Sequence, residues 1–212
     1  MPTSAGPPAY PVNLIVSGRR CLVVGGGRVA AHKARGLVDA GADVTVVAPE
    51  VDQAVTSLPV AVEQRPYRPG DAAGYRLVVA ATGRPDVNQH VYDDAEAAGV
   101  WVNSADDPVR CSVTLPAILR QGRLTVTVST GGHSPAVAAW VRDRLAEEIG
   151  PEYDTLIGLL AEARADVRAA GRSTELYNWR AVLDSGILDL IRTGRLEDAK
   201  ERLGACLSSS SD

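Results

Sequence analysis

The chain alternates short unbroken apolar runs with longer stretches whose apolar positions recur at helical spacing. Cys21-Leu-Val-Val24 is apolar throughout and breaks into Gly25-Gly-Gly27, after which Arg28–Ala40 resumes with a helical period. This reads as strand, tight turn and helix, with Gly41 as the helix stop. Asp43–Ala48, Val60–Glu63, Leu77–Ala81 and Val100–Asn103 read as further strands. Runs that alternate so little belong to strands buried on both faces, as in a parallel sheet. Asp86–Ala98 reads as a helix capped by Asp86, and Tyr10–Val16 as an added edge strand behind a Pro- and Gly-rich lead-in. The alternation of strand and helix through Asn103 predicts a doubly wound α/β sheet.

Beyond Asn103 the pattern changes. Ser112–Leu115 and Leu124–Ser129 are β-prone runs separated by Pro116–Arg123, and Ser134–Ile149 reads as a helix with Ser134 as cap and Pro135 in its first turn. From Pro151 the chain is helical, with breaks near Gly171, Gly186 and Gly194, and it ends in a polar serine tail. The expected organisation is a nucleotide-binding domain over 1–111, a small α+β dimerisation segment over 112–150 and a C-terminal helical domain over 151–212.

Composition narrows the function classes. With 45% hydrophobic and 23% charged residues the chain is ordinary for a globular protein, and a net charge of −4 gives no basis for nucleic-acid binding. No apolar run approaches the roughly 18–20 residues of a membrane helix, and no signal core follows the N-terminus, so a cytoplasmic protein is expected. The three cysteines are odd in number, widely spaced and without a C-x-x-C pair, which reads as reduced thiols. His32, His90 and His133 are too scattered for a metal-ligand motif, so no metal site is expected. His133, in the turn before a helix, is the one histidine with a candidate role.

Gly25, Gly27 and Ala30 fit G-x-G-x-x-[GA], in which the first glycine makes the turn and the second lets a pyrophosphate approach the backbone. The helix that follows offers unpaired N–H groups and the positive end of its dipole. The second strand ends in Ala48-Pro49-Glu50. Glu50 is either an acceptor for a ribose hydroxyl, favouring NAD over NADP, or a residue of the next helix's first turn. Thr82 and Asn103 stand at the carboxyl ends of the fourth and fifth strands, where a cofactor lies in such folds. Past the fifth strand come Asp106-Asp107-Pro108; a carboxylate beside a nicotinamide takes a proton while hydride leaves, and adjacent loop residues point different ways, so only one should face the cleft.

Together, Tyr10-Pro-Val-Asn-Leu14, Val23-Val-Gly-Gly-Gly-Arg-Val-Ala-Ala-His-Lys-Ala-Arg35, Val46-Val-Ala-Pro-Glu50, Ala80-Ala-Thr82, Val102-Asn-Ser-Ala-Asp-Asp-Pro108 and Ser129-Thr-Gly-Gly-His-Ser-Pro135 closely resemble the precorrin-2 dehydrogenase family of sirohaem synthesis. The resemblance is strong from Tyr10 to about Leu145 and weak in the helical tail. It implies a Rossmann-type sheet, a homodimer, and oxidation of precorrin-2 to sirohydrochlorin with NAD. In some members it also implies insertion of Fe²⁺ into the product. It implies Asp106 as the catalytic carboxylate and a cofactor lying over Arg28 and Val29 on one side and Pro49 and Glu50 on the other. Thr130 stands where the family carries a serine often treated as a phosphorylation site. A polycarboxylated substrate calls for arginines, whose planar forks bond both carboxylate oxygens. Arg110, Arg120, Arg123, Arg142 and Arg144 cluster after the candidate catalytic loop, and two or three of them are expected to touch substrate, near Thr130 and His133. The same glycine loop without a working acid past the fifth strand would instead make a non-catalytic NAD-sensing regulatory domain.

Overall fold

In the computed structural model, which describes residues 9–105 and 107–208, the first apolar run forms β1 (Arg20–Val24). It is followed by α1 (Arg28–Asp39), β2 (Asp43–Val47), α2 (Gln53–Thr56), β3 (Ala61–Glu63), β4 (Leu77–Ala80), α3 (Pro85–Ala97) and β5 (Trp101–Ser104). All five strands are parallel, in the order β3-β2-β1-β4-β5. The chain therefore builds outward from β1 first to one side and then to the other, and the carboxyl ends of β1 and β4 flank the point where the strand order reverses.

The period of two sorts the core. Val23, Val46 and Val79 face one way, onto Ala30, Ala31 and Ala34 of α1 and Val55 of α2. Leu22, Val24, Val78, Ala80 and Val102 face the other, onto Val91 and Ala95 of α3. Three alanines on the buried face of α1 bring that helix close to the sheet, so its first turn stands directly above the end of β1. Gly41, at φ +76°, ends α1 as expected.

Around this sheet three details differ from the sequence reading. Tyr10–Val16 forms no strand: Pro11 lacks an N–H, and only Val16 of the segment is buried. Helix α3 begins at Pro85, with Arg84 at the cap position and Asp86 inside the first turn, paired to Arg84. The fifth strand runs one residue later than read, and Trp101 at its start is half exposed.

The first compact unit runs through Leu115 and takes in Gly131–His133; the second comprises Pro116–Thr130 and the chain from Ser134 onward. In the second unit β6 (Ala117–Gln121) and β7 (Leu124–Val128) form an antiparallel hairpin around Gly122-Arg123. The first of these strands lies in what the sequence suggested was the connection. Gly122 at φ +55° makes a two-residue turn possible, and the turn sets the register. Then come α4 (Pro135–Glu148), α5 (Glu152–Ala169), α6 (Trp179–Leu183), α7 (Ile187–Arg192) and α8 (Leu196–Ser208). Ser134 caps α4 by accepting the Val137 N–H at 3.2 Å, as its sequence predicts. Leu156 and Leu159 of α5 meet Val182, Ile187, Ala199 and Leu203 in a separate helical core. Among the described residues no helix is long and apolar enough to cross a membrane.

Candidate functional site

The glycine turn is fixed by its own surroundings. Gly25, at φ +128°, lies so near β4 that a Cβ would stand 2.3 Å from the Ala81 carbonyl oxygen. At Gly26 a Cβ would stand 1.9 Å from the Glu50 carbonyl oxygen, and the Gly26 carbonyl accepts the Asp52 N–H at 2.8 Å. The segment after β2 is thereby seated on the glycine turn. Sequence reasoning missed Gly26, because the motif leaves its middle position free; the run of three glycines was the available signal. Gly27 differs from both: nothing lies within 4 Å of where its Cβ would be. That opening faces the start of α1, which has no side-chain cap and no acidic residue in its first turn, whereas α2 and α4 are each capped by a side chain. A close backbone approach ending at uncapped N–H groups is a fit for a dinucleotide's pyrophosphate. Arg28, Val29, Pro49 and Glu50 are exposed around it.

At the ends of β4 and β5 polar side chains hold the backbone. The Asn88 side chain, buried on α3, accepts the Thr82 hydroxyl at 2.6 Å and the Thr82 N–H at 3.3 Å, and donates to the Thr82 carbonyl at 3.2 Å. Thr82 thus shapes the turn after β4. Asn103, also buried, donates to the Val113 carbonyl at 3.0 Å and bridges to Cys111, so it draws the chain after β5 back against the sheet. The Ala105 N–H bonds the Ala80 carbonyl at 2.8 Å. These contacts fix both flanks of the loop bearing Asp106, which itself lies outside the described residues. Asp107 caps a 3-10 turn over Pro108–Arg110 by accepting the Val109 N–H at 3.2 Å, and its carboxylate pairs with Arg110. It is a loop anchor. Burial pushes the Cys111 thiol upward and the nearby Asp107 charge adds to this; the sulfur approaches the Ser104 and Asp107 carbonyls. A thiol held protonated in this way is a poor nucleophile.

The arginines named from sequence are mostly engaged. Arg110 also donates to Gln89; Arg123 bonds the Asp154 carboxylate at 3.3 Å and its carbonyl at 3.1 Å; Arg142 pairs with Asp143 at 2.6 Å. Arg144 lies 3.7 Å from Glu147. Arg120 points from the exposed face of β6. The Thr130 hydroxyl accepts the Ser134 N–H at 3.0 Å and so braces the start of α4. His32, His90 and His133 are exposed and separate, and among the described residues no group of three metal-ligating side chains forms.

Comparison with known proteins agrees with this geometry. The family described as putative NAD(P)-binding matches residues 12–117, and the one described as the central part of a sirohaem biosynthesis protein matches 121–148. Sirohaem synthases of Pseudomonas entomophila and Azotobacter vinelandii are 44% and 37% identical over 92% of this chain, and that of Nitrosomonas eutropha 34% over 96%. The chain spans less than half the length of these relatives, 43–44%. The solved structure of SirC, a precorrin-2 dehydrogenase, superposes with a TM-score of 0.73 at 27% identity, covering 93% of this chain and 98% of that one. The chain belongs to the family described as putative NAD(P)-binding, and it is similar along nearly its whole length to sirohaem synthases and to a precorrin-2 dehydrogenase.

Proposed function

We propose that the chain oxidises precorrin-2 to sirohydrochlorin, with NAD taking the hydride. The observation that carries the reading is the opening over Gly27 at an uncapped helix start, in a family whose relatives are sirohaem synthases and a precorrin-2 dehydrogenase. Gly25, Gly27 and the backbone N–H groups of Arg28 and Val29 would hold the pyrophosphate, and Glu50 the adenosine ribose. When bound, NAD supplies a hydride acceptor. The protein's part is to hold the macrocycle beside it and to take the proton that leaves with the hydride, a task assigned to Asp106.

Purified chain incubated with NAD and enzymatically generated precorrin-2 is expected to form NADH and sirohydrochlorin in equal amounts. It is expected to work better with NAD than with NADP, because the exposed Glu50 carboxylate would repel the additional phosphate. NAD binding without NADH formation would support a regulatory NAD sensor instead, and equal rates with both cofactors would remove Glu50 from cofactor choice. Fe²⁺ is assigned as a second substrate only if sirohaem forms from sirohydrochlorin and Fe²⁺ faster than without enzyme.

We assign the protein to the cytoplasm, as a homodimer built from the 112–150 segment and the helices of 151–212. Trp140 is 61% exposed and Val137 48% exposed on α4, an apolar surface suited to cover by a second copy. Sedimentation at micromolar concentration is expected to give twice the monomer mass, falling toward the monomer in Trp140→Glu. A monomeric wild type removes the assignment.

A further inference from the structure

We infer that Arg28, His32 and Lys33 form a subsite for the side-chain carboxylates of the tetrapyrrole; this rests on the substrate reading above. Residues 28 and 32, and 29 and 33, are each four apart on α1 and so share one helix face. With Val29 and Ala105 they line an open depression of about 380 Å³, a size that takes one edge of a large macrocycle with its acidic side chains. Arg28 and Lys33 are spaced about 7.5 Å apart along the helix axis.

The placement of these groups is unusual for local stability. Arg28 is the first residue of α1, where the helix dipole disfavours a positive charge, and the first turn contains no acid to offset it. Among the described residues none of the three forms an ion pair, although twelve such pairs occur elsewhere and absorb Arg110, Arg123 and Arg142. In a chain of net charge −4 this gives a local positive face whose cations have no ion-pair partner among the described residues. An arriving anion resolves both features. The location fits the chemistry as well: Ala105, which lines the depression and is tied to the Ala80 carbonyl, immediately precedes in sequence the residue assigned to proton removal.

Uroporphyrin, a stable macrocycle bearing acetate and propionate side chains, serves as the binding probe. It is titrated into wild type, Lys33→Arg, Lys33→Ala, Lys33→Glu and His32→Ala, with NAD binding measured in parallel. Lys33→Ala is expected to weaken uroporphyrin binding about tenfold, as for the loss of one charge-assisted contact, and Lys33→Glu to weaken it further. Lys33→Arg should retain most of the affinity, and the difference between wild type and Lys33→Glu should shrink as salt is raised. With precorrin-2, KM should rise in Lys33→Ala while kcat and NAD affinity stay unchanged. Wild-type binding of uroporphyrin that is equalled by Lys33→Glu would overturn the subsite and leave the dehydrogenase reading intact. Loss of NAD binding instead of uroporphyrin binding would assign these cations to the dinucleotide and also overturn it. A wild type that neither binds uroporphyrin nor oxidises precorrin-2 would overturn the substrate reading itself.

Discussion

Gly26→Ala is expected to lower both thermal stability and NAD affinity, whereas Gly27→Ala is expected to lower NAD affinity alone. The contrast follows from what each new methyl group meets. At Gly26 the Cβ would stand 1.9 Å from the Glu50 carbonyl oxygen, 2.9 Å from its carbon and 3.0 Å from the Ala48 Cβ. The atoms met first are backbone, held by the Asp52 N–H to Gly26 carbonyl bond at 2.8 Å, so relief requires moving the whole segment after β2. Overpacking of this kind typically costs about 1–3 kcal/mol, and here it displaces Pro49 and Glu50 from the place assigned to the ribose. Gly27 has φ −89° and ψ −172°, a conformation alanine adopts readily, and its Cβ would meet nothing within 4 Å. The free protein should tolerate that methyl group, with a melting temperature close to wild type. Bound pyrophosphate should not tolerate it, since the missing Cβ is the space assigned to it, and NAD affinity should fall by about tenfold or more. Differential scanning calorimetry and NAD titration of the two variants read these effects separately. Wild-type NAD affinity in Gly27→Ala would place the pyrophosphate elsewhere.

The parallel sheet was legible because its central strands are buried on both faces and so carry unbroken apolar runs. Val23, Val46 and Val79 face α1 while Leu22, Val24 and Val78 face α3, and neither set leaves room for polar alternation. The hairpin was harder to read. Ile118 and Arg120 are exposed on β6 while Ala117 and Leu119 are half buried, a weak contrast that does not announce a strand without its partner β7. Site residues followed the same division. Gly25 and Gly27 answer to a local motif, whereas the need for glycine at 26 comes from Glu50, a contact made only once β2 lies beside β1. The role of Thr82 depends on Asn88 from the following helix. Of the arginines chosen for their nearness in sequence to the loop, Arg123 proved to be bound to the Asp154 carboxylate, 31 residues distant, a partner that spacing alone does not reveal. Arg28, His32 and Lys33 precede that loop by more than seventy positions and meet its neighbour Ala105 only through the fold.

Asp106→Asn is expected to retain folding and NAD binding while losing about 10²–10⁴ in dehydrogenation rate, the usual cost of removing a general base. Oxidation of precorrin-2 sends a hydride to NAD and leaves a proton to be taken, and the amide keeps the carboxylate's shape without a basic oxygen. The neighbouring residues separate this role from a structural one. Asp107 already anchors the loop: its carboxylate caps the turn at Pro108–Arg110 and pairs with Arg110, whose guanidinium in turn reaches Gln89. Ala105 is secured to the Ala80 carbonyl, and Asn103 to Val113. The loop flanks therefore have fixed attachments that do not depend on Asp106. In Asp107→Asn the amide oxygen can still accept the Val109 N–H, and only the partly exposed charge pair is lost, so turnover should stay within a few-fold of wild type. Rate under saturating NAD and precorrin-2, melting temperature and NAD affinity are compared for the two variants. The assignment requires a large rate loss in Asp106→Asn at unchanged melting temperature and NAD affinity, and a small one in Asp107→Asn. A lower melting temperature in Asp106→Asn, with wild-type turnover per folded molecule, would make Asp106 a loop anchor and return the proton to solvent or to another group.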